Sequence, residues 1–280
     1  MPYALRRPLL ALLLALATLC AGTACTAAAG KDTAAGKGAA TALDDPAKKE
    51  IAMRLVSSAE NSSLDWKAQY RYIEDIGDGR GYTAGIVGFC TGCGDLLKVV
   101  ERYVAARPDG NVLEPFLPAL RAVKGGESHD GLGTAFTTAW REAAGDPVFR
   151  KTQDAERDRI YFDPAVDAAK GDGLGALGQF IYYDAYVMHG FRDARGSVGV
   201  RTMRQQALKK AGSPAKGGDE TAYLNAFLDA RVDAMRREAS HSDTSRVETA
   251  QRVFLDAGNL DLEPPLKWKV YGDSYRIDRG

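Results

Sequence analysis

Gly77-Asp78-Gly79-Arg80-Gly81 lies within the run Tyr72-Ile73-Glu74-Asp75-Ile76-Gly77-Asp78-Gly79-Arg80-Gly81-Tyr82-Thr83, and this stretch decides the reading of the chain. Glycines at alternate positions predict a tight turn, and the aromatic and β-branched residues around it predict a small sheet or hairpin over 70–88. Asp78 stands on that turn. Upstream, Asp44-Asp45-Pro46 offers capping acids and a first-turn proline. Ile51, Ala52, Leu55, Val56 and Ala59 then recur at helical spacing, so an amphipathic helix delivers Glu60 at its C-terminal end. Two carboxylates, one leaving a helix and one on a turn, can form the walls of a cleft. Hydrolysis of a glycosidic bond needs such a pair: a protonated acid beside the leaving oxygen, and an ionised one to activate water or attack. The negative end of a helix disfavours a further anion, which suits a proton donor at Glu60. Asp between glycines is also ordinary turn chemistry, so spacing alone decides nothing.

Outward from this stretch the pattern is helical. Leu96, Leu97, Val100, Tyr103 and Val104 form one stripe, and further helices are predicted over 112–123, 133–143, 147–160, 164–189, 197–211, 219–239 and 245–257. Glycines and prolines mark the joints. The tail over 260–280, with Pro264-Pro265 and Trp268, is predicted to be extended and packed over the helices. The expected fold class is mainly α with one small β-sheet.

The N-terminus reads as a signal peptide and flexible leader over 1–42. Arg6 and Arg7 precede a short apolar run, Leu9 to Leu19, and small residues follow; the apolar run is too short for a stable membrane span. Arg6-Arg7-Pro8-Leu9-Leu10 fits a twin-arginine export signal as well as an ordinary secretory one. Gly22-Thr23-Ala24-Cys25 offers a second alternative, a lipid anchor at Cys25, though the usual Leu is missing three residues before the Cys. The Ala/Gly/Thr/Lys stretch after it reads as a tether. The expected location is therefore outside the cell.

Formal charge is zero over all 280 residues, but residues 1–42 carry +3 and the rest −3. A mildly acidic mature chain argues against nucleic acid as a partner and is compatible with a cationic polymer. Cys90 and Cys93 remain once the leader is removed. A zinc site would need a second ligand pair, which is absent, and the strand-helix pattern of a thioredoxin-like redox site is absent too. A local disulfide and two buried thiols both stay open. No residue pattern calls for a metal or organic cofactor. Asp75-x-x-Asp78 lacks the ligand spacing of a calcium loop, and no Gly-Lys-Ser/Thr follows the glycines as a phosphate loop requires.

Beyond single motifs, the wording of the chain resembles the family-46 chitosanases. The resemblance is carried by Ala59-Glu60-Asn61-Ser62-Ser63, the 72–83 run, Gly88-Phe89-Cys90 and Arg157-Asp158-Arg159-Ile160-Tyr161-Phe162-Asp163-Pro164. It continues through Leu177-Gly178-Gln179-Phe180, Tyr183-Asp184-Ala185, Val187-Met188-His189-Gly190 and Gly217-Gly218-Asp219-Glu220-Thr221. Leu228-Asp229-Ala230-Arg231, Thr244-Ser245-Arg246-Val247 and Pro264-Pro265-Leu266-Lys267-Trp268 complete it. It spans essentially 43–280 and implies a two-lobed, lysozyme-like catalytic domain with a substrate cleft between the lobes.

The resemblance also implies roles. Glu60 would be the general acid, Asp78 the general base, and Thr83 would help orient the attacking water in an inverting, endo-acting cleavage of chitosan. Asp95 and Glu238 would bind the ammonium groups of glucosamine units, and Arg80, Tyr161 and His189 would make further substrate contacts. Asp184, Arg231 and Arg246 would form an ion network behind the acid. A carboxylate paired to an amine explains a preference for deacetylated polymer. An arginine beside Glu60 would favour its ionised form, and an Asp sharing that arginine would moderate the pull. Cys93 departs from the family, which usually has another residue there. The expected partner is chitosan or its oligosaccharides, met by a monomer. The rival readings are a peptidoglycan muramidase on the same scaffold and a non-catalytic cell-surface glycan-binding protein.

Overall fold

The computed structural model describes residues 42–193, 197–238 and 242–279. The leader, including Arg6, Arg7 and Cys25, lies outside the described residues. Helix α1 (Pro46–Asn61) starts as its sequence dictates: Asp45 accepts hydrogen bonds from the Ala47 and Lys48 amides, and Pro46 occupies the first turn. Ile51, Ala52, Leu55, Val56 and Ala59 are all buried. The helix stops where Ser62 turns left-handed at φ 50°.

A 3₁₀ turn (Trp66–Arg71) leads into a three-stranded antiparallel sheet of β1 (Ile73–Asp75), β2 (Tyr82–Ala84) and β3 (Phe89–Cys90). β1 pairs with β2 through Glu74 and Thr83, and β2 with β3 through Thr83 and Cys90. Gly77, Gly79 and Gly81 all have φ between 70° and 76°, so the turn between β1 and β2 needs a residue without a Cβ at each alternate position. Gln153, wholly buried, ties this sheet to the helices: its amide donates to the Tyr70 carbonyl and its oxygen accepts from Ile86.

Helices α2 (Asp95–Ala106), α3 (Leu117–Ala122), α4 (Thr134–Ala143) and α5 (Pro147–Arg157) follow. Then come α6 (Asp163–Gly171), α7 (Ala176–His189), α8 (Val200–Lys210), α9 (Glu220–Arg237) and α10 (Arg252–Asp256). Two π-turns, Asp158–Phe162 and Val247–Gln251, interrupt the helical path. The helix expected over 112–123 is a 3₁₀ turn and a short α3, because Pro115 and Pro118 each remove an amide donor. The single helix expected over 164–189 is two helices. Asp172-Gly173-Leu174-Gly175 breaks it, with Gly173 at φ 78°.

The buried side chains form two cores. One contains α1, α6–α10 and the C-terminal strands; Tyr70, Ile73, Phe89, Leu97, Tyr103, Phe136, Trp140 and Phe149 belong to the other. The tail over 260–280 is not merely extended. It is a hairpin of β4 (Leu266–Val270) and β5 (Asp273–Ile277), with Leu266, Trp268 and Val270 facing inward in strict alternation. Trp268 Nε1 donates to Ser58 Oγ at 2.9 Å, two residues before Glu60, so the tail fastens the end of α1.

Candidate active site

Glu60 leaves the last turn of α1 with a side chain only 5% exposed. Arg246 Nη2 stands 2.6 Å from its Oε1, yet neither Glu60 oxygen accepts a directed hydrogen bond from a described residue. The contact is one of charge.

Behind Glu60 the polar groups form a chain. Arg246 forks onto Asp184 in the middle of α7, with Nε and Nη2 donating at 2.8–3.1 Å. Arg231 from α9 approaches the same carboxylate at 2.7 Å. Gln251 closes the set: its amide donates to Asp184 at 2.7 Å, and its oxygen accepts from Arg231 at 3.0 Å. All four side chains are buried. Burial pushes the Asp184 carboxyl up, but the two guanidiniums outweigh it and hold it at about 2. Burial presses Arg246 down, and the Asp184 and Glu60 carboxylates more than reverse this, so it stays charged. Arg231 is lowered, mainly by burial, with Asp184 opposing. The chain runs on: Arg231 Nε is 3.5 Å from His189 Nε2, and His189 Nδ1 is 3.8 Å from Glu238 Oε1. Two residues assigned separately, His189 and Glu238, thus join the network behind Glu60. Both are buried, and Glu238 also accepts from the Val198 amide.

Asp78 is held on its turn by Arg80, whose amide donates to Oδ1 at 3.1 Å and whose Nε donates to Oδ2 at 2.7 Å. The Arg80 guanidinium, expected as a substrate contact, is here paired to Asp78. Thr83 follows on β2, nearly wholly buried, and its hydroxyl takes no partner among the described residues. Asp95 opens α2, where its Oδ1 accepts from the Cys90 amide at 2.7 Å and the Leu96 amide at 2.8 Å. Burial raises its carboxyl above the usual range, against those two amides and Arg80. Tyr161 sits on the first π-turn. Its hydroxyl is pushed up by burial and by the Asp95 and Glu60 charges, with Arg80 opposing, so its surroundings link both acids.

Cys90 and Cys93 are joined in a disulfide. Their sulfurs lie within 4.8 Å of an Asp95 oxygen, but disulfide sulfurs are not thiolates, so the trio offers one anionic ligand and no metal centre.

Three features were not read from the sequence. Gln251 is one, because residues five apart on an α-helix diverge, whereas the i→i+5 turn over Val247–Gln251 lets Arg246 and Gln251 meet on one carboxylate. Tyr271, at the tip of the hairpin, is another: its amide donates to Ser245 Oγ beside Arg246. Burial raises its hydroxyl, with Arg246 opposing and Glu60 adding. The third is the 124–131 loop, which backs the Asp78 turn through the Gly125 amide on the Gly92 carbonyl and the His129 ring tilted against Tyr82 at 4.3 Å.

The model of glycosyl hydrolase family 46 matches residues 54–266. The chain belongs to glycosyl hydrolase family 46. It is 66% identical over 240 residues to a chitosanase of Streptomyces sp. strain N174, covering 86% of this chain and 85% of that protein. It is 59% identical over 273 residues to a chitosanase of Nocardioides sp. strain N106, covering 98% and 97%. A co-crystal structure of chitosanase OU01 with substrate superposes with a TM-score of 0.79 at 56% identity, covering 85% of this chain and 99% of that one. A Gynuella sunshinyii chitosanase in complex with chitotetraose gives 0.73 at 35% identity, covering 82% and 96%. The family-46 chain accordingly has a lysozyme-like fold, mainly helical with a small antiparallel sheet.

Proposed function

We propose that this family-46 chain is a secreted, endo-acting chitosanase that cleaves β-1,4 bonds between glucosamine units with inversion. Glu60 protonates the glycosidic oxygen, and Asp78 removes a proton from water on the opposite face of the sugar. Thr83 holds that water through its hydroxyl, which has no hydrogen-bond partner among the described residues. Inversion needs room for the water, roughly 6.5–9.5 Å between the carboxyls. The observation that carries this reading is Glu60 itself: a nearly buried carboxyl, backed by Arg246 and the Asp184 network, with neither oxygen hydrogen-bonded among the described residues.

Arg80 holds the Asp78 carboxylate in place on its turn. Asp95 and Glu238 supply carboxylates for the ammonium groups of glucosamine units, which the N-acetylated sugars of peptidoglycan do not offer, so chitosan is preferred over a muramidase substrate. The retained acid pair disfavours a silent binding protein. The working unit is a monomeric two-lobed catalytic domain over 43–280, behind an exported leader. Among the described residues no helix is long and apolar enough to cross a membrane.

Proton NMR of fresh product from highly deacetylated chitosan tests the stereochemistry. The α-anomer should accumulate first, and an initial β-anomer would contradict inversion. Product lengths separate endo from exo action, since mixed oligomers should appear before monomer.

A further inference from the structure

We propose that the Cys90–Cys93 disulfide is a positioning element for substrate binding, clamping the turn between β3 and α2 so that Asp95 stays presented to a glucosamine ammonium. This rests on the role of Asp95 proposed above. The bridge joins Cα atoms 5.1 Å apart across Thr91-Gly92. Cys90, Thr91 and Gly92 within this short ring each make a contact next to the site. The Cys90 amide donates to Asp95 Oδ1, and Cys90 is the register partner of Thr83. Thr91 Oγ1 accepts from the Tyr82 amide and donates to the Arg80 carbonyl, while the Gly92 amide donates to that same carbonyl at 2.9 Å. The ring therefore grips the arm of the Asp78 turn on one side and Asp95 on the other.

Gly92 and Gly94 flank Cys93, Gly94 has φ 80°, and the Gly94 amide reaches the Cys90 and Thr91 carbonyls only at 3.2–3.3 Å. Two glycines give the backbone many alternatives, and a covalent crosslink removes them. With the bridge in place, Asp95 Oδ1 is occupied by two amides, and Oδ2 accepts no hydrogen bond from the described residues. Opening the bridge frees Cys90 to leave Oδ1, and the carboxylate loses its fixed orientation toward a cation. Cys93 is exposed, so a reductant can reach it.

The test compares the exported protein before and after treatment with tris(2-carboxyethyl)phosphine. That reagent leaves two thiols and is itself oxidised to the phosphine oxide with oxygen from water. The same comparison is made in Asp95→Asn, and the doubly substituted Cys90→Thr/Cys93→Thr stands beside the reduced form. Reduction should raise KM for highly deacetylated chitosan about three- to tenfold with kcat within twofold, the size expected for disturbing one charge-assisted contact. The double Thr variant should match the reduced protein. Asp95→Asn should have a high KM already and show no further rise on reduction. Two free thiols in the untreated protein would overturn the clamp, as would an unchanged KM, a fall in kcat alone, or an equal rise in Asp95→Asn. Absence of chitosan hydrolysis by the oxidised protein would instead sink the proposed function, and the clamp with it.

Discussion

One nitrogen of Arg246, Nη2, lies 2.6 Å from Glu60 and 2.8 Å from Asp184, so a single guanidinium edge serves both carboxylates. Such an edge ties the position and charge of Glu60 to a side chain on another helix. Arg246→Ala leaves Asp184 and Glu60 buried without that partner, and breaking a buried pair costs about 3–5 kcal/mol. Urea unfolding should show that loss, and the pH–rate profile on chitosan should change along with the rate. Arg246→Lys keeps the charge but loses the fork and should fall between the two. An unaltered rate and profile in Arg246→Ala would mean the network does not act on Glu60.

Asp184 makes stability depend on pH in a stated window. Its carboxyl is held at about 2 in the folded chain against an ordinary 3.8. Folded protein therefore binds fewer protons than unfolded between those values. The stabilisation is complete above the unfolded value and is lost as pH falls through the folded one, and the difference amounts to about 2 kcal/mol. Unfolding free energies between pH 6 and pH 2 should fall more steeply in the wild type than in Asp184→Asn. Parallel curves would rule this out.

Gln251 bridges Asp184 and Arg231 with both ends of its amide. Gln251→Ala leaves a buried carboxylate oxygen and a buried guanidinium short of one partner each, a loss of about 1–3 kcal/mol. Chemical denaturation should register it, with activity reduced less than in Arg246→Ala. A variant as stable as the wild type would show that the two ions are satisfied without it.

Asp95 should set how substrate affinity varies with acidity. Burial raises its carboxyl, so it takes up a proton at higher pH than an exposed aspartate and then loses its attraction for an ammonium. KM for chitosan should rise as pH falls through that range. Asp95→Asn should have a KM higher by roughly ten- to a hundredfold, the effect of one charge-assisted contact, and should lack this pH dependence. A variant with an unchanged KM would remove Asp95 from substrate binding.

Much of the fold was legible because burial follows period. The α1 stripe, the sheet around the glycine turn and the α2 stripe all appear where their spacing puts them. The break between α6 and α7 was missed because apolar residues continue on both sides of Asp172-Gly173-Leu174-Gly175. The tail was legible as extended, and the alternation of Leu266, Trp268 and Val270 marks a strand within it, but the pairing of that strand into a hairpin was not. At the site, Glu60 and Asp78 were legible as a pair of acids on suitable elements. The meeting of Arg231, Arg246 and Asp184 came only from the family resemblance, because nothing in their spacing brings three helices together. Gln251 depends on a π-turn, which leaves no mark in hydrophobic periodicity.

The most direct measurement is reducing-end release from highly deacetylated chitosan by the wild type and Glu60→Gln, with thermal unfolding of both. Gln keeps the shape of Glu60 but cannot donate an acidic proton. The rate should drop by roughly 10²–10⁴, the span of general acid catalysis, while the variant still unfolds cooperatively. A variant that retains activity within a few-fold of the wild type would contradict Glu60 as the acid.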